Sequence, residues 1–360
     1  MPALTAGIIR RQIEGGRWRD WLPGERRLAQ ELRVSRGTVR AALAILAAGQ
    51  SVRAVSSRGH RVASRRRRRD PGEGRTVIGL LSPEPIETRR PYFALLLAHL
   101  REAVAARGWT LQRHSGESFF GAQAAAHLER LVNQSSCAAW MLFHSTAAAQ
   151  SWFRERGLPA LVAGHNYEGI DLPSLDTDHR AAGRHAGLLL ARHRHRDVAL
   201  VVSRRRLPGL VEGEAGFNTG FNAGAGRDAA TITRLPNDAD PAALAAAVTR
   251  CLRRRPRPTA IVVEDPNQYL TVFSAVTALG LAVPTDVSLI SRLDDPFLAH
   301  LVPPPARYRV EPAAFSRALM GLLARLTTRE PLPSRGRKIV PDFIAGGSVS
   351  APRPQASAHR

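Results

Sequence analysis

The sequence predicts an α/β protein in which a small helical module with a two-stranded wing precedes a long region of parallel sheets. Three observations predict it. From residue 77 to residue 291, short apolar strands alternate with amphipathic helices, the pattern of parallel sheets covered by helices on both faces. Before them, three short helices joined by turns lead into two β-prone stretches. The charge is uneven as well: residues 1–75 hold 18 arginines against 6 acids, net +12 of the chain's +22.

The 360 residues suffice for two or three domains, and with 44% hydrophobic and 23% charged residues the chain can bury a core. Two distant cysteines, Cys137 and Cys251, exclude a disulfide scaffold and a cysteine-rich zinc module and fit a reducing cytosol. The longest wholly apolar run, 41–48, is too short for a bilayer, and residues 1–5 do not open a signal peptide. A cytoplasmic protein without a membrane partner is expected. So strong a basic excess points to a polyanion, nucleic acid foremost.

Along the first module, Ile8, Ile9 and Ile13 set a helical period over 5–17, and Gly15-Gly16 ends it. Leu22-Pro23-Gly24 is a turn. Residues 25–32 form a second helix with Leu28, Ala29 and Leu32 on one face. Ser35 is an N-cap for a third helix over 36–48, whose Val39, Ala42, Leu43 and Leu46 face inward. Arg36, Gly37, Thr38 and Arg40 are left on its outer face. Residues 51–55 and 59–63 read as a wing. This is the layout of a winged helix-turn-helix. Its last helix enters the major groove, where an arginine fork can bond guanine O6 and N7. Ser64 to Gly74, with five consecutive arginines at 65–69, reads as a linker, either a solvated charged tether or, if the flanking module binds DNA, one that also touches phosphates.

The stretch from Leu22-Pro23-Gly24-Glu25-Arg26 through Val34-Ser35-Arg36-Gly37-Thr38-Val39-Arg40 resembles the winged helix-turn-helix of the GntR family of bacterial repressors. The resemblance implies DNA contacts by Arg26, by Arg36, Gly37, Thr38 and Arg40 opening the recognition helix, and by the wing tip Gly59-His60. The chain departs from the family at Gln50, Ser51 and Ser57, where Gly, Leu and Gly are usual.

Beyond the linker, strands are expected at 77–81, 109–113, 140–143, 159–163, 198–202, 230–235, 260–263 and 287–291. Helices are expected at 92–107, 122–133, 147–156, 178–192, 210–223, 241–254 and 267–279. Ligands of such sheets bind at the carboxyl ends of the strands or between lobes. Residues 278–296, with Val283-Pro284-Thr285-Asp286-Val287-Ser288 and Leu293-Asp294-Asp295-Pro296, are similar to the effector domain of the LacI/GalR family. So are 77–81, 158–162, Asp178 with Gly183, and Gly216-Phe217. The resemblance implies a two-lobed, periplasmic-binding-protein-like domain over 76–348, then a disordered tail over 349–360. It implies a ligand set of Tyr92, Phe93, His165, Asn166, Glu264, Asp265 and Asp294. Where family members keep a ligand-clamping arginine three residues before Gly216, this chain has Gly213.

Other chemistries find no support. A pyridoxal-phosphate enzyme needs a Schiff-base lysine, and the only lysine, Lys338, stands outside any fitting motif. There is no phosphate-binding loop and no His-Glu-x-x-His, and Gly224-Ala225-Gly226 reads as a turn. His193-Arg194-His195-Arg196 reads as a positive helix end rather than a metal site. No cofactor and no metal are expected. The expectation is a homodimeric regulator on a palindromic double-stranded operator, modulated by a sugar-like effector; the alternative is a DNA binder whose second domain only dimerises.

Overall fold

A computed structural model describes residues 1–14, 18, 21–48, 52–55, 59–62, 76–121, 123–205, 207–226, 230–237, 240–328, 330–332 and 336–353. The Arg65–Arg69 run, Gln50, Ser51 and Ser57 lie outside them. The chain divides into two compact units, 1–74 and 75–360.

In the first unit, helices α1 (Pro2–Glu14), α2 (Glu25–Leu32) and α3 (Arg36–Ala48) precede strands β1 (Val52–Val55) and β2 (Gly59–Val62). The core contains the inward residues read from the pattern, Ile9, Leu28, Ala29, Val39, Ala42, Leu43 and Leu46, joined by Ala6, Leu22 and Val52. Arg33 ends α2 in the left-handed region, with φ 51°. Ser35 starts α3 as an N-cap, its Oγ accepting from the Thr38 amide at 3.1 Å. β1 and β2 pair antiparallel, Val55 opposite Gly59.

The second unit holds two six-stranded sheets. The first lobe contains β3 (Val77–Ser82), α4 (Pro91–Ala106), β4 (Thr110–Ser115), α5 (Ala124–Gln134), β5 (Ala139–Phe143), α6 (Ala147–Glu155), β6 (Ala160–Ala163) and β7 (Ser174–Thr177). The second lobe contains α7 (His179–Arg192), β8 (Asp197–Ser203), α8 (Pro208–Ala225), β9 (Thr231–Asn237), α9 (Pro241–Leu252), β10 (Ala260–Val263), α10 (Pro266–Ala278), β11 (Ser288–Ser291) and β12 (Ala306–Arg309). The chain then returns. Helix α11 (Pro312–Thr327) packs Phe315, Leu319 and Leu323 into the first lobe's core beside Leu96 and Leu100. Strand β13 (Arg337–Ile339) joins the first sheet, and β14 (Asp342–Ile344) closes the second. The sheet orders are β13-β7-β6-β5-β3-β4 and β14-β12-β11-β10-β8-β9, and all pairings are parallel except β12 with β14. The chain therefore passes between lobes three times. Two passages are bonded together, the Asp178 amide donating to the Ile339 carbonyl at 2.7 Å.

Helices α7 and α8 meet backbone to backbone. A Cβ on Gly216 or Gly220 would overlap the carbonyls of Arg180 and Arg184, and one on Gly183 would overlap that of Gly213. Glycine there permits an approach that any side chain prevents. Phe217 and Phe221, fully buried and stacked at 5.6 Å, carry the apolar side of the contact.

The tail differs from expectation. Ser350, placed by the sequence reading in a disordered 349–360 segment, is built into the second lobe. Its amide donates to Ser288 Oγ at 3.1 Å, and its carbonyl accepts from His195 Nε2 at 2.9 Å. Those bonds satisfy a fully buried histidine, which composition alone could not reveal. Residues 354–360 lie outside the described ones.

Candidate functional site

On the first unit, Arg26, Arg36, Gly37, Arg40 and Gly59 are exposed, and Thr38 and His60 are half-buried. Thr38 shares a 2.8 Å hydrogen bond with the Ser35 hydroxyl. The amide of Leu22 donates to the His60 carbonyl at 2.9 Å, tying the wing to the turn before α2. Arg40 Nη2 stands 3.0 Å from Glu25 Oε2, bracing α3 against the first residue of α2. The Arg40 hydrogen bond holds the Glu25 carboxyl below its usual range. Glu25 was not among the expected site residues; its place opposite Arg40 follows from the crossing of two helices, not from spacing.

In the second unit, the expected ligand residues other than Asn166 fall into three clusters at the carboxyl ends of the strands. Tyr92, Phe93, Asp265 and Asp294 surround Arg90, a residue the sequence reading did not single out. Arg90 reaches from the first lobe to the second. Its Nη1 is 3.6 Å from Asp295 Oδ2 and 3.5 Å from the Asp294 carbonyl, and its Nε is 3.9 Å from Asp265 Oδ2. The Phe93 ring lies 5.2 Å from its guanidinium and edge-on to His144 at 5.1 Å. Tyr92 packs on Phe93 at 5.5 Å, and its amide donates to Asp295. Asp265 caps α10 through the Asn267 amide, and Asp294 accepts from Arg307 Nε at 2.7 Å. Burial pushes the Asp295 carboxyl up, opposed by Arg90, and pushes the His144 imidazole down to about 3.

The second cluster is centred on His165. Its Nδ1 meets Asp176 Oδ2 at 2.9 Å and its Nε2 meets Glu212 Oε1 at 3.1 Å. Two carboxylate partners are both satisfied only by the doubly protonated ring, and the bond to Asp176 raises the His165 pKa. Burial pushes Asp176 up, but bonds from His165 and His179 outweigh it and hold the carboxyl well below its usual range. Glu212, on α8, also receives Lys338 Nζ at 2.6 Å from β13. His165 and Lys338 thus clasp one carboxylate across the lobes. Asn166 stands apart, its Nδ2 donating to the Leu172 carbonyl within its own loop.

The third cluster lies at the ends of β8, β9 and β10. Glu264, buried, accepts from the Ser203 amide at 3.1 Å and from Arg292 Nη2 at 2.5 Å. Burial raises its pKa, and Arg292 opposes the rise. Beside the pair, a cavity of about 380 Å³ is lined by Ser203, Leu210, Glu214, Arg234, Pro236 and Glu264, among others. Glu214 and Arg234 are paired with each other. Arg292 was legible only as a cation just after a strand end. Among the described residues, no group of three His, Cys, Asp or Glu could hold a metal ion, and no helix is long and apolar enough to cross a membrane.

Comparison with known proteins bears on both units. The pattern of the bacterial regulatory proteins, gntR family, matches residues 5–62, and that of the periplasmic binding protein-like domain matches residues 188–349. The chain is a transcriptional regulator of the GntR/LacI type. It is 24% identical to the HTH-type transcriptional regulator MalR of Streptomyces coelicolor over 287 residues, 76% of this chain and 81% of that one. The regulator also superposes on a LacI family transcriptional regulator of Bifidobacterium animalis subsp. lactis, with TM-score 0.66, 22% identity, and 78% and 100% of the two chains covered. A periplasmic binding protein/LacI transcriptional regulator of Alkaliphilus metalliredigens, solved with D-xylulofuranose, gives TM-score 0.63, 17% identity, and 76% and 99% covered. These superpositions show the regulator's fold.

Proposed function

We propose that the regulator is a cytoplasmic repressor whose operator binding is modulated by a sugar or sugar derivative held between the lobes of its second unit. The observation that carries this reading is the cavity of about 380 Å³ at the strand ends, lined by the second lobe alone, where Glu264 and Glu214 lie beside the cations Arg292 and Arg234. Paired carboxylates and guanidiniums present acceptors and donors side by side, the complement of a polyol's hydroxyls, while Leu210, Val211 and Pro236 offer apolar surface to the ring carbons. The sugar bound in the Alkaliphilus structure favours the same class.

In this reading Tyr92, Phe93, His165, Asp265 and Asp294 act where the ligand meets the interlobe contacts, Glu264 acts in the cavity, and Asn166 shapes the loop after β6. Arg26, Arg36, Gly37, Thr38, Arg40, Gly59 and His60 meet the operator. A homodimer presents two winged helices to a palindrome, with exposed Leu95 of α4 and Leu270 of α10 as apolar surface for the partner copy. The effector acts only as far as its affinity differs between operator-competent and incompetent forms.

A thermal-shift screen of sugars and sugar derivatives on the full chain tests the reading. A hit whose shift disappears in Arg234→Ala supports the cavity; a hit indifferent to that change moves the ligand elsewhere. No hit across the class overturns the sugar assignment.

A further inference from the structure

The edge of the second lobe's sheet opposite the cavity carries a second concentration of positive charge that the site above does not use. β8, β9, β10 and β11 run parallel, so their amino ends share one edge. A seven-residue strand such as β8 separates that edge from the cavity by about 20 Å.

The segments meeting there are stitched together around the fully buried His195. Its Nε2 donates to the Ser350 carbonyl, which leaves Nδ1 to accept from the Thr259 hydroxyl at 2.8 Å. The Thr259 amide donates to the Asp197 carbonyl at 2.8 Å, the Thr231 amide to that of Arg196 at 2.7 Å, and the Ser288 amide to that of Thr259 at 2.9 Å. The loops after α7 and α9 are therefore rigidly juxtaposed. On these loops and the helix ends that lead into them, Arg192, Arg194, Arg250, Arg253, Arg254 and Arg255 are exposed.

None of these six pairs with a carboxylate among the described residues. The loops 192–197, 250–259 and 280–288 contain two acids, Asp197 and Asp286, and Asp286 is already engaged by Arg353 at 3.7 Å. Favourable helix dipoles account for Arg192 and Arg250, which lie in last turns. Arg255 donates to the carbonyls of Leu252 and Arg254 at the end of α9, but neither the dipole nor such a bond accounts for Arg253 and Arg254. Like charges held this close repel within a Debye length, about 8 Å at physiological ionic strength. The arrangement is relieved by a polyanion. None of the large exposed hydrophobic residues lies on these loops, so the face lacks the apolar anchors by which a protein partner binds.

We propose that this edge is a sequence-independent contact for the phosphate backbone of double-stranded DNA, distinct from the winged helix. The winged helix reads an operator; this face holds duplex by charge alone, with a strong salt dependence.

The test uses the full chain with the recognition helix disabled by Arg36→Ala and Arg40→Ala. Its affinity for a random-sequence duplex is measured across a salt series, with and without Arg250→Gln, Arg253→Gln, Arg254→Gln and Arg255→Gln. The glutamines should flatten the slope of log affinity against log salt by about 3 to 4, while lysines at the four positions should keep it. An unchanged melting temperature in the glutamine variant separates lost contact from lost fold; if it melts early, the lysine variant against single glutamine changes supplies the comparison. An unchanged slope and affinity overturns the proposal. So does a loss of polyglutamate binding with duplex binding intact, which would make the face a site for an acidic protein.

Discussion

The guanidinium of Arg292 lies against Gly213, in the space a side chain on α8 would fill. A Cβ built on Gly213 would overlap Arg292 Nη1. The arginine that the LacI/GalR resemblance expects at 213 is absent from α8, and a guanidinium from the end of β11 occupies the position instead, held by Glu264. The backbone carbonyl of Gly213 lies on the other side, against Gly183 of α7. Gly213→Ala should therefore displace Arg292, leave Glu264 buried without its cation, and cost about 3 kcal/mol. Denaturant midpoints check this. The pair Arg292→Met with Glu264→Gln should be milder than Arg292→Met alone, because only the single change strands a buried carboxylate.

Arg40→Ala should weaken operator binding by about 1–3 kcal/mol and relax base preference at one position. Glu25→Gln removes the brace at 3.0 Å and a negative charge beside Arg40. It should raise affinity for scrambled duplex more than for operator, narrowing discrimination. Parallel titrations of operator and scrambled duplex measure both effects.

The clasp at His165 gives the second unit a pH dependence of defined sign. The Asp176 hydrogen bond raises the folded pKa of His165 above the ordinary histidine value of about 6.5. The stabilisation is therefore fully present below 6.5 and is lost as pH rises through the folded value. The melting-temperature gap between the wild type and His165→Gln should be larger near pH about 6 than near pH about 9. A gap that widens with pH would show that the ring is held neutral.

Ending the chain after Ser348 should destabilise the second unit by about 2–3 kcal/mol, since buried His195 loses its Ser350 acceptor and Ser288 loses its partners. Ending it after Arg353 should leave the melting temperature unchanged.

Legibility in the sequence followed the range of the interactions. The ends of α2 and α3 match the reading residue for residue because caps and apolar periods are local. The strand–helix alternation was legible for the same reason. β7 and β12 were not. Ser174-Leu175-Asp176-Thr177 and Ala306-Arg307-Tyr308-Arg309 are short and polar, and Arg307 is buried only because Asp294 pairs with it. The cleft was hidden by distance along the chain. Arg90 meets Asp295 and Lys338 meets Glu212 through the closure of the lobes, and Arg292 meets Glu264 through the pairing of β11 with β10, none of which spacing encodes. Of these six residues the ligand set implied by the resemblance includes only Glu264.

The three passages between lobes also set the order in which the regulator comes into being. The core of the first unit is complete once Val52 has been made. Neither lobe of the second is complete until α11 and β13 have returned to the first and β14 and Ser350 to the second. At ~5–20 residues per second of synthesis, every new chain carries a finished DNA-reading head for some tens of seconds before its sensor can fold. During that interval the head is free to bind DNA with no effector control over it.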